Sequence, residues 1–230
     1  MILTGNEIKL QHEAGNIVIE PWNEKRLNPN SYNVSLAPEL MVYTEACLDP
    51  RQDNRTRTIT IPEEGLVLTP GKLYLGRTNE WTETYGLVPK LEGRSSIGRL
   101  GLFIHVTAGY GDVGFRGYWT LEIVPVETVR IYPNMEIGQL SYHPVCGDVT
   151  DTYHGKYQGS RGIISSQIYK ELHPRSCIMD NRYWDRINAI YHRQEAKGLK
   201  KYGMPLEANP AAIQTRLTYL EEELVDGLMY

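Results

Sequence analysis

Proline and glycine cut this chain into short β-forming runs, and that rhythm leaves few folds open. Pro29, Pro38, Pro50, Pro62, Pro70, Gly71 and Pro89 fall between or at the ends of runs such as SYNVSL, LMVYT, TRTITIP, GLVLTP and KLYLGRT. The pattern continues through LFIHVTA, YWTLEIVP, VRIYP and IGQLSYHPV. Proline fixes φ and has no N–H to give a ladder, so it ends strands instead of continuing them. Short, regularly interrupted strands predict a mainly β fold, a distorted barrel or jelly roll. A short helix (TGNEIKLQHEAG) and a strand (NIVIEP) precede the series.

The character changes near residue 172. HPRS is a break, and DNRYWDRINAIYHRQEAKGLKKYG and PAAIQTRLTYLEEELVDGLMY then read as helices. In the second, Ile213, Leu217, Leu220, Leu224 and Leu228 recur at steps of three and four, which puts them on one helix face. Pro210 suits that helix's first turn. The chain is therefore divided into a β domain, 1–172, and an α-helical tail, 173–230.

With 230 residues, 41% of them hydrophobic, the chain is long enough to bury a sizeable core. Its formal net charge of -4 argues against a surface built to neutralise a nucleic-acid polymer. Local arginines can still bind a small anion. Cys47, Cys146 and Cys177 are far apart and odd in number, which argues against a disulfide framework and a cysteine-rich zinc site. The N-terminus has no long apolar run, so neither a signal peptide nor a membrane span is expected, and the cytoplasm is the expected compartment.

Chemistry concentrates in residues 92–123. Gly93-Arg94-Ser95-Ser96-Ile97-Gly98-Arg99 sets two arginines around two hydroxyls, with glycine on both sides. Backbone N–H groups, hydroxyls and guanidinium forks together suit a phosphate chain. A P-loop is rejected, because Arg99-Leu100 stands where Lys-Ser/Thr is required and no βαβ pattern surrounds it. The plainer alternative is a helix capped by Ser95 or Ser96. Next, Thr107 to Gly117 holds four glycines, which implies a tightly folded backbone that approaches something closely. Asp112 either caps that turn or contacts a sugar or a water. Glu122 sits in the nearly apolar run Tyr118–Val124 and shares a face with Thr120 and Val124. Facing inward it is desolvated and suited to general acid/base work, a role worth about 10²–10⁴ in rate; facing outward it is a solvated edge residue. Tyr153 to Gly162 mixes aromatics, cations and glycines and reads as a mobile lid or a polar surface loop. His105 and His143, each alone in a β-like run, read as structural.

Six segments in this order and spacing carry a resemblance: NPNSYNVSL (28–36), EGRSSIGRLGL (92–102), HVTAGYGDVGFRG (105–117), TLEI (120–123), IGQLSY (137–142) and GKYQGSRG (155–162). Over residues 1–170 the chain resembles the dCTP deaminase branch of the dUTPase-like superfamily. The resemblance implies a distorted β-barrel of dUTPase-like type. It also implies a homotrimer with active sites at subunit interfaces, and Mg²⁺ held mainly through the substrate phosphates. It makes Ser95 and Arg99 triphosphate and catalytic-water residues, supported by Arg94 and Ser96. The backbone of Val106, Thr107 and Ala108 would read the base edge. Glu122 would activate water for attack on C4 of cytosine, and Gln139 would contact phosphate. Tyr153, Lys156 and Tyr157 would cover the nucleotide. Zinc deaminases instead need a His/Cys cluster of H-x-E and P-C-x-x-C type, which this sequence lacks.

Ala108-Gly109-Tyr110, where single-step relatives tend to carry Ala-His-Arg, resembles the bifunctional branch that releases dUMP. There Asp112 would place the water that attacks the phosphate chain. The sequence departs from the pattern at Gly111, where relatives usually carry Ile. It departs also at Ser160-Arg161, and at Asn33, where many carry Asp. The tail resembles part of phage-type MazG-like pyrophosphohydrolases, with Glu223 and Asp226 as an ExxD pair. Gly198, three residues after Glu195, leaves the partner ExxE incomplete. Two other readings stay open: a dUTP pyrophosphatase without deamination, and a non-catalytic dNTP-binding regulator.

Overall fold

The computed structural model describes residues 1–172 and, beyond them, Ile190, Arg193 and Lys197, all three helical. The chain divides into two units, Met1–Thr44 with Pro50–His173, and Glu45–Asp49 with Pro174–Tyr230. Apart from the three helical positions just named, the tail lies outside the described residues, and with it the Ile213–Leu228 face and the Glu223/Asp226 pair.

Helix α1 (Gly5–Glu13) opens the first unit, and the Thr4 side chain caps it by accepting from the N–H of Glu7. Eleven strands follow: β1 (Ile17–Glu20), β2 (Tyr32–Ser35), β3 (Glu39–Tyr43), β4 (Thr56–Thr60), β5 (Leu66–Leu68), β6 (Tyr74–Thr84), β7 (Leu87–Gly93), β8 (Leu102–Ile104), β9 (Arg116–Pro125), β10 (Val129–Ile131) and β11 (Glu136–Pro144). A one-turn helix α2 (Ser95–Gly98) lies between β7 and β8. The protein is thus mainly β, and most predicted runs appear as strands. The run LFIHVTA is shorter than expected: its strand stops at Ile104, because His105 turns left-handed at φ 53.

The strands form three antiparallel sheets instead of one closed barrel. Their orders are β4-β3-β6-β9-β8 with β1 also on β6, β2-β11-β7, and β10-β5. The eleven-residue β6 organises the largest. β9 runs along one edge, while β3 and β1 share the other end to end, at Leu75 and at Trp81–Thr84. Among the described residues β1, β4 and β8 are each paired along one side only. The core is aliphatic and aromatic: Ile17, Ile19, Val34, Leu36, Leu121 and Ile123 are all fully buried. The buried carboxylate of Glu80 on β6 ties in both β2 and Arg26, which lies in the segment before that strand. Glu80, 0% exposed, accepts from Arg26, from Ser35 N at 2.9 Å and from Ser35 Oγ at 2.8 Å. Such burial is tolerable only because the charge is paired and its oxygens are hydrogen-bonded.

Candidate active site

Strand β9 alternates strictly. Trp119, Leu121 and Ile123 point into the core, while Tyr118, Thr120, Glu122 and Val124 stay half-buried on the opposite face. That second face forms one wall of a cavity of about 470 Å³. Glu122 therefore lies on the cavity side, half-buried and not fully desolvated, the intermediate of the two placements its sequence context left open.

The loop after β8 is built around Glu122. The left-handed His105 donates its backbone N–H to the Glu122 carbonyl at 2.8 Å. Its Nε2 donates to the Ala108 carbonyl at 2.7 Å, which closes the turn and assigns the ring proton to that nitrogen. The ring stands edge-on to Trp119, with centroids 6.1 Å apart. The turn carries Thr107 back over β9, where Oγ1 donates to Glu122 Oε2 at 3.1 Å. Farther along, Leu91 N donates to Gly109 O at 2.7 Å and Gly111 N to Pro89 O at 2.8 Å, pinning the loop to β7. Val106, 72% exposed, Thr107 and Ala108 line the cavity. Tyr110 and Asp112 also line it.

Residues 153–166, of which Tyr153 to Gly162 were expected to form a lid or loop, supply another wall. Gln158 makes three bonds: its amide nitrogen donates to Gly114 O and Tyr153 O, both at 2.8 Å, and its oxygen accepts from Arg116 N at 2.9 Å. Ser160 then runs parallel to β9, accepting from Tyr118 N at 3.0 Å and donating Oγ to Tyr118 O at 2.7 Å. Ile164 N donates to Thr120 Oγ1 at 3.1 Å. Tyr153 and Tyr157 line the cavity. Lys156 does not: its ammonium is paired with Glu171 and lies 5.7 Å from the Tyr157 ring centroid. Hydrogen bonding to Glu171 raises Lys156 above the ordinary lysine pKa.

The phosphate candidates stand elsewhere. Ser95, Ser96 and Arg99 are exposed around α2. The position before that helix is Arg94, which makes no side-chain cap, so neither serine caps it as the plainer sequence reading expected. Arg94 Nη1 lies 3.1 Å from Glu136 Oε2 and donates to the Glu136 carbonyl at 3.4 Å. Gln139 Oε1 accepts from Ser31 Oγ at 3.3 Å. None of Arg94, Ser95, Ser96, Arg99 or Gln139 lines the cavity that holds Glu122.

Several cavity residues escaped the sequence reading. His105 was read as structural, and Tyr43, Trp119 and Ser166 were given no role in the site. His105 had one local signal, its position immediately before the glycine-bearing VTAG turn. Tyr43 and Ser166 had none, since Ser166 N reaches Tyr43 Oη at 2.9 Å across 123 residues of sequence.

These features define a mainly β protein with a half-buried glutamate in a cavity walled by a glycine-bearing loop, an aromatic segment and its own strand. More narrowly, the chain belongs to the dCTP deaminase-like family, whose sequence model matches residues 2–145. A relative from Clostridium beijerinckii named "dCTP deaminase, dUMP-forming" is 58% identical over 172 residues, covering 75% of this chain and 99% of its own. One of the same name from Clostridium acetobutylicum is 60% identical with the same coverage. Another from Leptospira biflexa is 56% identical, covering 75% of this chain and 98% of its own. Among solved structures, the 2'-deoxycytidine 5'-triphosphate deaminase from Agrobacterium tumefaciens superposes with a TM-score of 0.52 at 18% identity. That match covers 63% of this chain and 48% of the other, and it bears on the fold alone. No helix among the described residues is long and apolar enough to cross a membrane.

Proposed function

We propose that this protein deaminates dCTP and hydrolyses the resulting dUTP to dUMP. The observation that carries the reading is 56–60% identity to dUMP-forming dCTP deaminases, sustained over 98–99% of their length. In the first step water adds to C4 of cytosine, and Glu122 takes its proton. The proton passes on to the amine, the C4–N bond breaks, and ammonia leaves. Such proton transfers contribute about 10²–10⁴ in rate. In the second step a water placed by Asp112 attacks the α-phosphorus, and pyrophosphate departs. The backbone of Val106, Thr107 and Ala108 reads the base edge. Tyr110, Tyr153 and Tyr157 enclose the nucleotide.

Ser95 and Arg99, supported by Arg94, Ser96 and Gln139, hold the triphosphate. Because these residues do not line the Glu122 cavity of their own chain, they favour a site completed by a neighbouring copy, within a homotrimer. Their donors are hydroxyls, guanidiniums and an amide, and no three His, Cys, Asp or Glu side chains converge among the described residues. That donor set fits Mg²⁺ carried by the phosphate oxygens, where it supplies charge neutralisation. The enzyme acts in the cytoplasm. The tail is related to MazG-like pyrophosphohydrolases through Glu223 and Asp226.

The test is product analysis with dCTP and Mg²⁺. Ammonia, pyrophosphate and dUMP together support the two-step reading. Ammonia with accumulating dUTP leaves a simple deaminase and removes the assignment of Asp112. The variant E122Q is expected to stop ammonia release while dUTP is still cleaved. Untouched dCTP with cleaved dUTP refutes deamination.

A further inference from the structure

We infer that Thr107 is a positioning residue for Glu122, its hydroxyl fixing one carboxylate oxygen so that the other faces the attacking water. The inference rests on the reading of Glu122 as the acid/base. Glu122 Oε2 accepts from Thr107 Oγ1 at 3.1 Å, while Oε1 has no hydrogen-bond partner among the described residues. A glutamate reaches its carboxylate through three rotatable bonds, and in a half-open cavity packing alone does not choose among the rotamers. One bond to one oxygen sets the plane of the group and leaves the second oxygen to accept a proton.

Thr107 is itself held in place. The turn that carries it begins at His105, whose φ of 53 is uncommon for a residue with a side chain and so marks a conformation imposed by its surroundings. His105 bonds through its backbone to Glu122 O at 2.8 Å and through Nε2 to Ala108 O at 2.7 Å. Residues 105 and 107 thus grip the backbone and the side chain of the same glutamate. Threonine is stiff at χ1, so the direction of its hydroxyl follows from the backbone. The turn is fixed in turn by the Trp119 ring against His105 and by the bonds that Gly109 and Gly111 make with β7. This arrangement places the reacting carboxylate without burying it, and pre-set geometry of that kind lowers a barrier before chemistry starts.

The experiment compares wild type, T107V, T107S and E122Q in steady-state dCTP turnover and thermal denaturation of the full chain. T107V removes the hydroxyl and keeps the shape, and Thr107 is exposed, so the core is untouched. A lost orienting bond of about 1.4–2.8 kcal/mol corresponds to a fall in kcat of about 10–100-fold. The expected result is that fall in T107V, with KM within about threefold and the melting temperature unchanged, and recovery of most of the kcat in T107S. Three outcomes overturn the inference: an unchanged kcat in T107V, an effect confined to KM, or a T107S enzyme as slow as T107V. If E122Q turns over dCTP at the wild-type rate, the role of Glu122 falls and this inference falls with it. If E122Q is inactive and T107V is not slowed, only the inference fails.

Discussion

Replacing Gly111 by alanine tests how the loop is fitted over β9. Gly111 does not need a left-handed backbone; what it needs is space. A Cβ there would lie 2.6 Å from the Trp119 Cη2 and 3.0 Å from Pro89 Cγ. The indole cannot swing aside. It is 6% exposed, its Nε1 donates to Thr82 Oγ1 at 2.9 Å, and Phe115 packs on it with centroids 4.9 Å apart. The loop must lift instead, straining the 2.8 Å bond from Gly111 N to Pro89 O. Overpacking of this kind costs about 1–3 kcal/mol. Alanine returns about 0.4–1 kcal/mol by restricting the unfolded chain. The balance is a loss of roughly 0–2.6 kcal/mol, with the 2.6 Å contact pointing to the upper half of that range. For a domain of this size that lowers the melting point by about 3–10 °C. Thermal denaturation reads the shift, and dCTP turnover should fall with it, because Tyr110 and Asp112 ride on the same loop. With the ring removed in W119L, the same alanine should cost nothing further, a coupling of at least about 1 kcal/mol. A G111A protein as stable as wild type, or an equal penalty in both backgrounds, would refute the reasoning.

Two further predictions concern charge. Buried Asn33 donates Nδ2 to Glu136 Oε2 at 2.9 Å and accepts from Asn28 Nδ2 at 2.8 Å, so N33D would set two carboxylates against each other. It is expected to destabilise the fold by about 1–3 kcal/mol in urea denaturation and to be rescued by E136Q; an N33D protein of unchanged stability rejects the pairing. Glu83 is held below the ordinary glutamate pKa, first by the Tyr85 hydroxyl and next by the Trp81 indole. Its contribution is therefore present above the unfolded value of about 4.3 and is lost as pH falls through the lower folded value. Y85F should make the drop in melting temperature between about pH 6 and pH 3.5 shallower, and an unaltered pH slope counts against the assignment.

How legible the fold was depended on whether a feature has a local period. The alternation in β9 is such a feature, and its inward residues Trp119, Leu121 and Ile123 follow from it directly. Helix α1 was likewise readable, because its amphipathic pattern is confined to consecutive turns. β7 was missed because Pro89 interrupts LVPKLEG and its half-buried pattern does not alternate cleanly. The end of β8 was missed for a different reason. Nothing in HVTA breaks a β pattern, yet His105 leaves the strand because its ring and backbone both find partners in the turn.

For the site, the same physical distinction separates what was visible from what was not. Glu122, Thr107 and Ala108 lie within sixteen residues of one another in sequence and on adjoining elements, so the cavity's core could be assembled from neighbours. The wall from residue 153 onward could not. Its composition, polar and glycine-bearing, is that of any surface loop, and what fixes it is Gln158 bonding three backbone groups, two of them more than forty residues away. Such bonds are specified by where β9 already lies, and no local pattern announces them. The cations show the same limit. Arg94 was expected to support the phosphate residues and Lys156 to cover the nucleotide, yet Glu136 and Glu171, 42 and 15 residues distant, already neutralise them. A triphosphate has charge enough to share or displace those carboxylates, and the sequence gives the cations without their partners because the pairing exists only once β7 meets β11 and the chain has turned back after residue 156.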